Sequence, residues 1–159
     1  KENLLGEKNM GFVGAMNILD RGRTAIGALS VGIARGALED SIEYAKQREQ
    51  FGRPIGKFQA IQWMIADMAT NIDAARLLVY RAAFLEDNNL PFSREASMAK
   101  LFASEMAMNS TRKAIQIFGG YGYTEEYPVE RYFRDVKLME IGEGTSEVQR
   151  IVISKRLGL

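Results

Sequence analysis

Residues 58–87 read FQAIQWMIADMATNIDAARLLVYRAAFLED. Phe58, Ile61, Ile65, Met68, Ile72, Ala75, Val79 and Ala82 recur at alternating steps of three and four. That spacing lays a single apolar stripe along a helix and leaves acids, amides and arginines on the opposite side. The polar run Glu86-Asp87-Asn88-Asn89, with Pro91 beyond it, ends the helix.

The same periodicity extends in both directions. Upstream, FGRPIG (residues 51–56) interrupts the chain. Before it, Phe12, Met16, Leu19, Ile26, Leu29, Ile33 and Ala37 predict a helical stripe over residues 11–50, with a break expected near Asp20-Arg21-Gly22. Gly22, Gly27, Gly32 and Gly36 lower helix propensity and point to close approach by a neighbouring helix or a ligand. Downstream, Ser93 is the expected N-cap of a helix over residues 94–118, filled with Ala, Leu, Met, Lys and Glu. The stretch FGGYGYTEEYP (118–128) predicts a glycine-rich loop, and Pro128 opens a short helix over residues 129–140. After IGEGTS (141–146), Ser146 and Gln149 have capping-box spacing for a last helix ending near Leu157. The methionines are expected in the core. No strand pattern and no internal repeat competes. The expected fold is all-α: an antiparallel four-helix bundle with an additional short helix.

Composition narrows the chemistry. The chain has 159 residues, 47% of them apolar and 26% charged, which excludes disorder and suits one packed domain. Lysines and arginines number 21 against 20 acids, so neither a nucleic-acid surface nor an anionic-membrane anchor is expected. No apolar run approaches the ~20 residues of a membrane span. With no His and no Cys, the usual zinc, haem and iron–sulfur ligands are missing and no metal site is expected. Any general base must be a carboxylate. The chain starts at Lys1 rather than Met, which suggests a processed chain or a fragment of something longer.

Four constellations could carry function, each with a plainer alternative. Glu143 lies between Gly142 and Gly144 just before a helix, where the backbone can bend and another molecule can come close. It reads as a candidate base or as part of a capped loop. Gly119, Gly120 and Gly122 could offer N–H groups to an anion, with Tyr121 and Tyr123 either stacking on a ring or simply packing. No GKS or GKT follows, so this is not a P-loop, and no strand precedes it. Arg48 and Phe51, three apart, could share a helix face and suit a phosphate and a planar ring. Their alternative is a helix-terminal cation and a core aromatic. Asp20 and Arg23 are either an intrahelical ion pair or a polar pair facing a head group.

Taken in order, LLGE…GF, LDRGR, REQFGRPIGKFQAIQ, AxxxK with QIFGGYGY, RYFRDVK and EIGEGTSEVQR resemble the C-terminal domain of acyl-CoA dehydrogenases over essentially the whole chain. The resemblance implies FAD as cofactor and an acyl-CoA thioester as substrate, converted to the trans-2-enoyl-CoA. It makes Glu143 the catalytic base that removes the α-proton, while the β-hydrogen leaves as hydride to the flavin. The thioester carbonyl would take hydrogen bonds from the flavin ribityl hydroxyl and from the base's own N–H. A developing enolate needs such donors, and a carboxylate buried against the thioester is pushed toward its working range.

By the same resemblance, Arg48, Phe51, Gln59, Gln116, Ile117, Phe118, Gly119 and Gly120 contact the FAD of a neighbouring subunit. Thr145, Ser146 and Glu147 contact the FAD of their own subunit, and Asp20, Arg23 and Gly144 line the substrate site. It further implies a homodimer or homotetramer and electron-transfer flavoprotein as acceptor. The cytoplasm is the favoured location, or the mitochondrial matrix in a eukaryote. Residues 1–159 then form one helical domain, the C-terminal part of a three-domain enzyme, inactive when isolated. Acyl-CoA oxidase and a non-catalytic oligomerisation domain are the alternatives. Where many members of the family carry an aromatic residue before the base, this chain has Gly142, which implies a roomier acyl pocket.

Overall fold

The computed structural model describes residues 3–159. Five helices carry the fold: α1 (Gly11–Gln47), α2 (Gln59–Asp87), α3 (Ser93–Phe118), α4 (Val129–Ile141) and α5 (Ser146–Arg156). The helical bundle is the one the periodicity predicts. Two details differ. Strands β1 (Glu49–Gln50) and β2 (Arg53–Pro54) pair antiparallel between α1 and α2. The glycine-rich stretch Gly119–Tyr123 winds into a 3-10 turn rather than an open loop. Gly122 is required there, because a Cβ would lie 2.7 Å from the Ile115 carbonyl oxygen.

Helix α3 lies at the centre and packs against α1, α2, α4 and α5. Its buried face is built from small residues: Ala96, Ala99, Ala103, Ala107 and Ala114. The buried face of α1 matches it with Gly27, Ser30, Ala34, Ala37, Ser41 and Ala45. A Cβ on Gly27 would come within 3.1 Å of Val79 and 3.5 Å of the Ala99 main chain. Small faces of this kind let two helix axes approach closely. The buried hydroxyls do not disturb the contact. Ser30 donates to the Ile26 carbonyl at 2.8 Å and Ser41 to the Ala37 carbonyl at 2.6 Å, each satisfied within its own helix.

The expected α1 stripe is realised only in part: Ala37 is buried and Ile26 and Ile33 pack against the core, whereas Phe12 is 75% exposed and Leu29 is 51% exposed. Met10 and Met16 are exposed as well, while Met68, Met106 and Met139 are core. The α2 stripe is as expected, with Met68, Ile72, Ala75, Val79 and Ala82 buried. Helix α1 also runs unbroken through Asp20-Arg21-Gly22, where the Asp20–Arg23 ion pair spans one turn. At the start of α3, Phe92 takes the N-cap position without a side-chain hydrogen bond, and Ser93 is the first helical residue.

The α3 N-terminus is fixed to α2 by charge. Glu95 is buried, and its Oε1 accepts from Arg94 at 2.6 Å and from Arg81 of α2 at 3.3 Å. Burial, the largest single influence, pushes the Glu95 carboxyl up; Arg94, the residue's own N–H and Arg81 together outweigh it and hold it below its ordinary value near 4.5. A carboxyl lowered on folding stabilises above its unfolded pKa, and that stabilisation disappears as pH falls through the folded pKa. Glu95→Gln should therefore lower stability at neutral pH and narrow the gap from wild type below about pH 4. Urea titrations of both proteins across that range check this.

Candidate active site

The loop between α4 and α5 is four residues long and held at both ends. Gly142 closes α4, its N–H donating to the Leu138 carbonyl at 2.8 Å. Glu143 then adopts φ 56° and Gly144 φ 94°. The left-handed region costs a non-glycine residue roughly 1–2 kcal/mol. Gly144 is needed for its φ and for space, since a Cβ would lie 3.0 Å from Gln149 Nε2 and 3.1 Å from Val148. Thr145, not Ser146, caps α5, its hydroxyl accepting from the Val148 N–H at 3.5 Å. Gln149 does not complete a capping box. It is fully buried and donates to the carbonyls of Glu143 and Gly144 at 3.1 and 2.9 Å. From α3, buried Lys100 donates to the carbonyls of Glu140 and Gly144 at 3.0 and 2.8 Å.

This frame sends the Glu143 side chain across to α1. Its carboxylate rests on the bare main chain of Gly22: a Cβ there would lie 2.6 Å from Oε2. Within one turn of Gly22, Arg23 donates to Asp20 at 2.5 Å, and both side chains are largely covered. The plainer reading of Asp20 and Arg23 as an ion pair is thus realised, but beside the Glu143 carboxylate. The buried Nε of Arg23 has no partner among the described residues. Neither does the Glu143 N–H, so one residue presents a carboxylate and a free main-chain donor together. Ser146 is buried with its hydroxyl unpartnered, and Glu147 is exposed in the first turn of α5. Its own N–H and the Thr145 hydroxyl lower the Glu147 carboxyl below the ordinary range.

A second group gathers at the other end of α3. Tyr44, Arg48, Gln50, Ile55 and residues 117–121 line a cleft of about 480 Å³. Its floor at Gly119 and Gly120 is open, since a Cβ at either would meet nothing within 4 Å. Tyr44 stacks on Phe118 with centroids 4.1 Å apart, and Arg48 lies over Tyr121 at 5.5 Å. Arg48 and Phe51 do not share a helix face. Helix α1 stops at Gln47, Arg48 is extended, and Phe51 sits at φ 53° in the hairpin tip, followed by Gly52 at φ 74°. Positive φ at both central residues is what a two-residue hairpin turn demands. Phe51 is consequently 92% exposed, with its ring edge toward Phe58. Gln59 and Gln116 are exposed nearby on α2 and α3, and Tyr123 packs on nothing.

From Lys100 to Phe118 is eighteen helical residues, so the two groups stand about 27 Å apart along α3. The structure seats Glu143 on Gly22, in the helical turn that carries Asp20 and Arg23, and brings Arg48 to residues 117–121. It does not bring the two sets together.

A family model described as "Acyl-CoA dehydrogenase, C-terminal domain" matches residues 9–158. The chain belongs to the acyl-CoA dehydrogenase family. It is 59% identical over 155 residues to the probable acyl-CoA dehydrogenase YngJ of Bacillus subtilis, covering 98% of this chain and 41% of that protein. It is 56% identical to subunit CarC of the caffeyl-CoA reductase–Etf complex of Acetobacterium woodii, covering 99% of this chain and 41% of that protein. The solved butyryl-CoA dehydrogenase of Megasphaera elsdenii superposes with a TM-score of 0.98 at 52% identity, over 99% of this chain and 41% of that one. The chain spans about two fifths of the length of these relatives. Among its described residues no helix is long and apolar enough to cross a membrane.

Sequence reasoning missed three supports of the Glu143 loop. Gly22 was visible as a helix glycine but not as the seat of a carboxylate from residue 143. Lys100 had a signal: it falls on the Ala96–Ala99–Ala103 stripe, where a charge is out of place. Gln149 had only a misleading one, its capping-box spacing.

Gly22→Ala separates stability from site geometry in this domain. The helix should gain up to about 1 kcal/mol, while the Glu143 carboxylate must leave its position. A crystal structure and a melting curve of the variant check both: an unmoved carboxylate contradicts the expectation.

Proposed function

We propose that this chain is the C-terminal domain of an FAD-dependent acyl-CoA dehydrogenase, which removes hydrogen across the α,β-bond of an acyl-CoA thioester. The observation that carries this reading is Glu143: a carboxylate forced out of a left-handed loop residue onto bare backbone, with its own N–H unsatisfied. In the proposed reaction Glu143 accepts the α-proton at a carboxylate oxygen. Its N–H donates to the thioester carbonyl as that oxygen gains charge, an interaction that strengthens toward the transition state. Asp20 and Arg23 orient the substrate beside it, with Gly144 leaving room.

The residues present fit FAD on two observations. The open floor at Gly119 and Gly120 admits a molecule against main chain, and Arg48 supplies a cation at the edge of that cleft. Thr145, Ser146 and Glu147 would hold FAD near the α5 N-terminus, where partial positive charge suits phosphate. Bound FAD supplies the hydride acceptor. A separation of about 27 Å between the two groups supports the assignment of Arg48, Phe51, Gln59 and 116–120 to the FAD of a second copy. A homodimer or homotetramer follows, and exposed Phe51 has a partner in it. Electron-transfer flavoprotein is the proposed acceptor, in keeping with the Etf complex named for the Acetobacterium relative. A bacterial cytoplasm is the proposed location. The isolated chain, holding separated portions of the cofactor site, should be inactive.

Gly142 bears on the acyl group. Its φ of −62° suits any residue, and a Cβ there would touch only the Leu138 carbonyl, at 3.4 Å. Glycine is thus a matter of volume, and the pocket beside the base is proposed to accept branched or varied acyl chains.

In the full-length enzyme, Glu143→Gln should keep FAD and substrate binding and lower turnover about 100- to 10,000-fold. Exchange of α-protons in deuterated water should vanish; normal exchange would remove Glu143 from the role. Gly142→Tyr should fold normally and narrow the range of acyl-CoA substrates toward short, unbranched ones. An unchanged profile across chain lengths would count against a volume effect.

A further inference from the structure

Among the described residues Lys100 is the largest fully buried side chain, at 0% exposure, and it pairs with no carboxylate there. A buried lysine is costly unless its ammonium is matched. The adjacent acid Glu140 turns its carboxylate to Lys137 instead, at 2.5 Å. Burial lowers the Lys100 pKa below the ordinary lysine value; Glu140, Glu105 and Glu147 oppose that, and Arg23 adds to it. Its hydrogen bonds go to two main-chain oxygens. Glu140 is in the last turn of α4, where carbonyls lack helical partners and carry the negative end of the helix dipole. Gly144 stands just before the cap of α5. One ammonium therefore ties together the two sides of the turn that carries Glu143. A well-packed apolar side chain would often serve core stability as well or better, so core packing alone does not account for a lysine here.

We propose that Lys100 is a positioning residue for Glu143: by joining the Glu140 and Gly144 carbonyls it holds the left-handed loop conformation that sets the Glu143 carboxylate against Gly22. Gln149 grips the same loop from α5, through the carbonyls of Glu143 and Gly144. Neither side chain touches the carboxylate; both act on the main chain that aims it. This inference rests on the reading of Glu143 as the base.

The test uses the full-length, FAD-loaded protein with butyryl-CoA as probe. Lys100→Met keeps the length and removes the donors, and Lys100→Gln retains one donor group. Met68→Ala, a core truncation on α2, controls for lost stability. Misplacing a catalytic group by about 1 Å costs up to about 100-fold, so kcat of Lys100→Met should fall roughly 10- to 100-fold with KM within about threefold. FAD content should be unchanged, α-proton exchange should fall in parallel, and Lys100→Gln should lie between. Met68→Ala should melt earlier yet keep its kcat well below its melting temperature. Wild-type kcat and exchange in FAD-loaded Lys100→Met would overturn the proposal, as would an equal loss of kcat in Met68→Ala. Failure of both Lys100 variants to load FAD would make Lys100 a folding residue and overturn it too. The parent reading fails separately, if Glu143→Gln exchanges normally.

Discussion

The contact between α1 and α3 constrains everything else in this domain. Both helices bury alanines, serines and one glycine along their shared face, so the backbones come close enough for Gly27 to reach the Ala99 main chain. Such a contact gains little from side-chain volume and much from the number of atoms brought into register. A methyl added at Gly27 would meet the Ala99 main chain at 3.5 Å and press on Val79 of α2 at 3.1 Å, so α1 is held from both sides there. With α1 and α3 locked, the α4–α5 turn lies over a fixed pair of helices. Lys100 reaches it from one of them and Gly22 receives its side chain on the other. The loop needs that rigidity because its own preferences run against its shape. A glutamate at φ 56° relaxes unless something holds it.

Strain and support are matched residue by residue. Glu143 cannot take its conformation cheaply, yet the carbonyls of Glu140, Glu143 and Gly144 are all taken by buried donors from α3 and α5. The donors left unused, the Glu143 N–H and the Arg23 Nε, lie on the same side of the problem: both are groups a bound carbonyl or anion could satisfy. Buried polar groups without partners are uncommon in finished structures, and three of those among the described residues belong to Arg23, Ser146 and Gln149, on the turn and the helix that flank Glu143.

The parts legible in the sequence were those where burial follows side-chain size. Helix α2 obeys that rule, and its Met68–Ile72–Ala75–Val79–Ala82 stripe is the buried one. Helix α1 breaks it. Phe12, Met16 and Leu29 look like a core stripe by period, but the face that packs is the one bearing Gly27, Ser30 and Ala34. Hydropathy cannot rank a small face above a large one when the partner helix is also small. The site was legible as residue types, not as geometry. Arg48 and Phe51 were recognisable, but a hairpin turn at Phe51-Gly52 replaced the helix that would have aligned them. The Asp20–Arg23 pair was foreseen as either a bond or a binding site. Nothing in a one-dimensional pattern could show that it lies beside a carboxylate more than a hundred residues later.

The division of the site follows from the length of α3. Along α3, Lys100 and Phe118 lie about 27 Å apart. Any cofactor contacted by Phe118–Gly120 is therefore remote from the Glu143 of the same chain. If both ends serve one kind of cofactor, each cofactor must take one end from each of two copies. A chain built this way needs an association surface, and α1 and α2 provide apolar area that the core does not use: Leu29, Trp63, Leu77, Tyr80 and Phe84 are all exposed. Under the proposed assembly, that exposed area is the surface available to bring another copy's half-site to this one.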